Sequence, residues 1–197
     1  MAHFIKVSIT VYIFYLLIFS IWSYLQVLDI ANLNPDNAWV GSLCYLPHGV
    51  RVLMLCFFRY YSIPALYIAE ITGPSLIAPT DYVNGWSYAA IGSILSVVIA
   101  VELVKWSKAA NGTFSLLKPI NFNNYKFLIL VVIISALING LLVNSIIAVI
   151  NQDILIEITT LLRFVIGDIL GSLAVIFSMW IIFTTLVDTR LIVSPKD

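Results

Sequence analysis

Four stretches of this chain, about residues 8 to 29, 86 to 106, 126 to 150 and 164 to 187, are apolar for long enough to cross a lipid bilayer as single helices. A hydrocarbon core of about 30 Å takes roughly 20 helical residues, and a chain inside it must satisfy its backbone hydrogen bonds internally. The expectation is therefore an all-α, polytopic membrane helical bundle, formed as a single integral membrane domain over residues 1–197. Composition agrees: 61% of the residues are hydrophobic and 10% charged, against about 25% charged in an ordinary soluble domain. The partner that follows directly is the lipid bilayer. Ten basic residues balance ten acidic ones, so there is no basic surface for nucleic acid. The first run follows a charged start, Met1 to Lys6, but it is too long for a signal-peptide h-region and has no small-residue cleavage site. It reads as a retained span.

The charges of the connections set an orientation. Lys6 precedes the first span; Lys105, Lys108, Lys118 and Lys126 flank or fill one connection; Arg190 and Lys196 follow the last span. These regions read as cytoplasmic, giving an N-in, C-in topology. The connections at 30–47, 80–85 and 151–162 carry Asp36, Asp81, Asp153 and Glu157 and no Lys or Arg, and read as outside. The chain between 48 and 79 must then enter the membrane and return on the same side. Arg59-Tyr60-Tyr61-Ser62-Ile63-Pro64 supplies the turn, because a proline restricts its predecessor and cannot continue the preceding ladder. The two arms reach only some 15 to 25 Å at about 1.5 Å per residue. They are expected to form a short or re-entrant helical hairpin, bringing the total to about six membrane helices. Such backbone survives at depth only inside protein or beside water, so the hairpin is expected to be interior.

Small residues at steps of four mark close helix contacts: Gly92, Ser96 and Ala100 in one span; Ala136, Gly140, Asn144 and Ala148 in the next; Gly167 and Gly171 in the last, with Ala174 and Ser178 close to that face. Ionisable residues at membrane depth are costly and tend to face the bundle interior. Arg51, Glu70 and Asp168 are the candidates for a ligand or ion-pair centre, with Arg51 and Asp168 read as partners that fix the hairpin to the last span. Glu70 either faces Arg51, completes a polar pocket or contacts the headgroups. Arg59 at the turn, and Glu102 and Arg163 near span ends, are expected to reach the headgroups.

Several chemistries are missing. His3 and His48 are the only histidines, so no histidine metal site or haem site is expected; HExxH, GxxxxGK[ST] and CxxC do not occur. No cofactor is implied. Gly167-Asp168 has no second carboxylate in an equivalent setting with which to share a proton, and the serines have no convincing base, His48 aside. The chain is read as a non-enzyme. Cys44 and Cys56 are read as two thiols, and the sequon at Asn111 falls in the Lys-rich connection and is read as a chance match.

The run from Leu46 through Pro47, His48, Gly49, Val50 and Arg51, followed by Arg59-Tyr60-Tyr61-Ser62-Ile63-Pro64 and a return arm through Glu70, resembles the Pro-x-Gly, apolar arm, Arg-Tyr-Trp-Pro segment of the MASE-type membrane-associated sensor domains of bacteria. Gly167-Asp168-Ile169-Leu170-Gly171 is similar to that family's Gly-Asp-x-x-Gly segment. The resemblance marks Pro47, Gly49, Arg59, Tyr60, Pro64, Gly167 and Gly171 as motif positions and implies a bacterial cytoplasmic (inner) membrane. It also implies a stand-alone sensor or adaptor that binds a small-molecule ligand or a membrane partner and passes the signal to an integral membrane or signalling protein. A substrate-binding subunit of a transporter and a structural subunit of a larger complex are the alternative expectations.

Overall fold

The computed structural model describes residues 2–28, 41–77, 83–107, 122–154 and 156–189. Six α-helices follow in order: α1 (Ala2–Leu28), α2 (Leu46–Phe58), α3 (Ile63–Ile77), α4 (Trp86–Trp106), α5 (Phe122–Ile150) and α6 (Ile158–Asp188), with one 3-10 turn, Arg59–Ser62, between α2 and α3. There is no strand among the described residues. Five segments are long and apolar enough to cross a membrane, the fifth being Leu46–Ile77 taken as a unit, so this is a multi-pass membrane protein. Three helices begin earlier than the apolar runs: α1 at Ala2, α5 at Phe122 and α6 at Ile158 rather than 164. Hydropathy marks the stretch able to sit in hydrocarbon, whereas a helix runs on until its hydrogen bonds are broken, and no glycine or proline breaks these first turns.

The Leu46–Ile77 segment folds back on itself. Arg51 on α2 forms an ion pair with Glu70 on α3, whereas 19 residues of straight helix would hold them about 28 Å apart. The reversal is made at Arg59, whose φ of 53° is the only positive value at a non-glycine among the described residues. Its N–H still bonds the Leu55 carbonyl, and Ser62 Oγ donates to the Arg59 carbonyl at 2.7 Å. Pro64 is not the breaker that its effect on a predecessor suggested, since Ile63 keeps helical dihedrals of −56° and −51°. Pro64 sits instead in the first turn of α3, and Pro47 in the first turn of α2, where a missing N–H costs little. With 13 and 15 residues, the arms measure about 20 and 22 Å.

Contacts along the helices give their directions. Gly85 meets Ile150, Gly92 meets Leu142 and Ile146, and Ser96 Oγ reaches Asn139 Oδ1, so α4 and α5 are antiparallel. Gly41 meets Phe164, Tyr45 N–H donates to the Gly167 carbonyl at 2.9 Å, and Gly49 meets Ser172 and Val175, so α2 runs parallel to α6. At one end of the bundle His3 contacts Tyr61 edge-on, and the Tyr60 hydroxyl donates to Glu102, which also pairs with Lys105 at 2.8 Å. The start of α5, near Lys126, and the end of α6 lie at that same end. Lys6, Arg59, Lys105 and Lys126 therefore gather together, while Arg163 lies at the other end and donates to the Gly41 carbonyl rather than standing free. Of the remaining connection charges used above, Asp153 and Glu157 are exposed between α5 and α6, whereas Asp36, Asp81, Lys108, Lys118, Arg190 and Lys196, and the Asn111 sequon, lie outside the described residues.

The centre of the bundle is α2, whose residues Leu46 to Cys56 are all buried. It packs against α1, α4, α5 and α6. Glycine makes the α2–α6 approach possible: a Cβ on Gly171 would strike the Tyr45 carbonyl, one on Gly167 the Ser42 carbonyl, and one on Gly49 would stand 2.8 Å from Ser172 Cα. Gly92 and Gly140 serve the α4–α5 and α5–α6 contacts in the same way, a Cβ at Gly140 falling 2.7 Å from Val165. Ser96, Ala100, Ala136 and Asn144 are buried, and Asn144 donates to the Gly140 carbonyl at 2.7 Å. Ala174 and Ser178, expected close to the packing face of α6, are exposed. The buried line runs through Val165, Asp168, Ser172 and Val175, and steps of three and four turn it away from Ala174.

Candidate functional site

The site forms where α2, α3, α5 and α6 meet. Arg51 projects from the middle of α2 and is 2% exposed; Glu70 and Asp168 are each 1% exposed. A buried guanidinium needs its donors occupied, and three neighbours occupy them: Nε donates to Glu70 Oε1, Nη1 lies 3.3 Å from His48 Nδ1, and Nη2 donates to the Tyr45 hydroxyl at 3.2 Å. Tyr45 also offers its ring face, 5.2 Å from the guanidinium carbon, the arrangement of a cation–π contact. Trp22 of α1 braces that ring edge-on at 4.9 Å.

Glu70 is fixed through its backbone as well. Pro74 lies inside α3 and has no N–H for the carbonyl four residues earlier. That carbonyl belongs to Glu70, and the Trp86 indole of α4 donates to it at 2.8 Å. Pro74 thus opens a bond to the next helix.

Asp168 is not the direct partner of Arg51. The expected pair is corrected to Arg51–Glu70, which closes the hairpin on itself, because Glu70 returns along α3 to the depth of Arg51. Asp168 Oδ2 instead accepts from Asn139 Nδ2 of α5 at 2.6 Å and stands 3.6 Å from His48 Nδ1. Its other oxygen, Oδ1, is buried with no hydrogen-bond partner among the described residues, and so is Ser172 Oγ one turn further along α6. Arg51, Glu70 and Asp168 thus belong to one buried polar cluster. Arg59, Tyr60 and Glu102 lie apart from it at the exposed end of the hairpin.

Sequence reasoning missed Asn139 and Ser135 and gave His48 no place in the centre. His48 is fully buried, with Nε2 3.0 Å from Ser135 Oγ. Ser135, His48 and Asp168 therefore stand in the order of a nucleophile, base and acid, but in the arrangement seen here His48 does not face Ser135 as a base. Arg51 has only donors, so His48 Nδ1 must accept and Nε2 carries the proton. Ser135 accepts it and donates its own hydroxyl to the Val132 carbonyl at 3.1 Å. A general base needs a free lone pair facing the hydroxyl, and Nε2 has none.

A second feature, an open groove of about 840 Å³ between α4 and α5, is lined by Tyr88, Ile91, Leu95, Leu141, Ser145 and Val149 among others. It offers almost no polar chemistry. Cys44 is exposed and Cys56 buried, both as free thiols, and no metal-binding group of three or more His, Cys, Asp or Glu occurs among the described residues. No protein-family model, curated protein or solved structure matches the chain.

Proposed function

We propose that this chain is a non-enzymatic membrane sensor or adaptor, lying in a bacterial cytoplasmic membrane with both termini inside. On this reading a small ligand or a membrane partner biases the packing of the α2–α3 hairpin, and the change passes to an integral membrane or signalling protein. The observation that carries the reading is the fastening of α2. This short helix is buried along nearly all its length, yet polar bonds tie it to α3 through Arg51–Glu70 and to α5 through His48–Ser135. Bonds of this kind are made or broken as units, and packed interfaces switch between discrete arrangements rather than deforming continuously. A ligand that touches the two arrangements differently shifts the balance by its difference in affinity. The gathering of Lys6, Arg59, Lys105 and Lys126 at one end favours that end as cytoplasmic, and the two motif blocks that resemble MASE-type sensor domains favour a signalling role.

The test is purification of the full chain in a gentle detergent followed by native mass spectrometry. A co-purifying membrane protein whose association is weakened by Arg51→Met supports the adaptor reading. A chain that stays monomeric and free of ligand, with or without Arg51, refutes it. Labelling of Ser135 by a fluorophosphonate would also refute it, in favour of a hydrolase.

A further inference from the structure

Among the described residues the buried centre contains one cation and two acids. Arg51 supplies the positive charge, Glu70 takes it in direct contact, and Asp168 is left as a second carboxyl at the same depth. The other groups that face this region are Tyr15 of α1, Tyr45 ahead of α2, His48 of α2, and Asn139 and Ser135 of α5. The phenols are neutral at ordinary pH. The amide and hydroxyl carry no charge, and the hydrogen-bond roles derived above make His48 neutral. Among the described residues Arg51 is the one cation that faces Asp168, and Glu70 already takes it in direct contact.

The local bonding points the same way. A buried carboxylate needs several donors spread over both oxygens. Asp168 receives one, from Asn139 to Oδ2, and none at Oδ1. Oδ2 also stands 3.6 Å from His48 Nδ1, which accepts from Arg51 and has no proton to give it. Protonated Asp168 removes the net charge and supplies an O–H at the unpartnered Oδ1. The unpartnered Ser172 hydroxyl lies one helical turn away on the same face.

We infer that Asp168 is an intramembrane proton-binding site, holding one exchangeable proton on Oδ1 in the arrangement seen here. Release of that proton to water leaves two carboxylates against one guanidinium, and so loosens the seam of α6 with α2 and α5. The inference goes beyond the sensor reading, since a proton site stands whether or not a protein partner exists.

The test is infrared difference spectroscopy of the full-length protein in lipid nanodiscs near neutral pH, where exposed carboxyls are ionised. The expected result is one protonated-carboxyl C=O band per chain. That band shifts when aspartate is labelled with 13C at the side-chain carboxyl and disappears in Asp168→Asn. It is also lost in Glu70→Gln, because Asp168 then becomes the remaining counter-ion for Arg51. The isotope shift needs no substitution and decides the matter even where a variant fails to fold. An absent band, or a band that labelled aspartate leaves unmoved, overturns the inference. A sodium-dependent rise in melting temperature at fixed pH with no such band also overturns it, and assigns the missing positive charge to a metal cation.

Discussion

Removing Arg51 tests the centre most directly. In Arg51→Met the apolar length of the side chain is kept, but Glu70, 1% exposed, loses the only cation in contact with it among the described residues. Deleting one partner of a buried pair costs about 3 to 5 kcal/mol, because the other charge stays buried and unpaired. For a chain of this size each kcal/mol moves the melting temperature by about 2 to 4 °C, which gives a fall of roughly 6 to 20 °C. Glu70→Gln is expected to cost less, since Asp168 lies close enough to serve Arg51 in its place. Arg51→Met combined with Glu70→Gln then leaves no stranded charge at the pair and is expected to be more stable than the sum of the single effects by about 1 to 3 kcal/mol, the coupling found for residues in one network. The assay is a double-mutant cycle read by reversible unfolding in mixed micelles of mild detergent and dodecyl sulfate. Strict additivity, or single variants within about 0.5 kcal/mol of the parent, would refute the account of this cluster.

Three further outcomes follow from the packing. Gly171→Ala puts a methyl into the Tyr45 carbonyl and is expected to lower stability by about 1 to 3 kcal/mol, whereas Ala174→Leu, on the exposed face, is expected to leave it unchanged in the same unfolding assay. Trp86→Phe removes the donor to the Glu70 carbonyl and is expected to cost about 1 kcal/mol; in a Pro74→Ala background the restored N–H supplies that carbonyl, and the cost of Trp86→Phe should fall towards zero. In sealed vesicles an impermeant maleimide is expected to label Cys44 and a cysteine at Tyr61 from opposite faces, since both are exposed and lie at opposite ends of the bundle. Labelling from the same face would show that α2 does not carry the chain from one face to the other.

The sequence discloses the fold-back more readily than it discloses who meets whom inside it. The sign of the connection charges and the Arg59 to Pro64 segment are one-dimensional signals, and they suffice to call for a turn between two acidic connections. Pairing depends on azimuth and depth together, and these are fixed only when the arms are packed. Arg51 could have met an acid on α3 or on α6; a return arm of 15 residues brings Glu70 level with it, and Asp168 is left to Asn139. The missed members carry a signal of their own. Tyr45, His48 and Arg51 recur at steps of three, Ser135 and Asn139 at a step of four, and Asp168 and Ser172 at a step of four, each placing polar groups on one face of a segment that is otherwise apolar. In hydrocarbon a lone serine can satisfy itself on its own backbone, as Ser93 does with the Ala89 carbonyl. A repeated polar face is harder to explain that way, because both of its members need partners at one azimuth. Three such faces on three segments call for a common meeting point, and only α2, short and central, is placed to touch the other two.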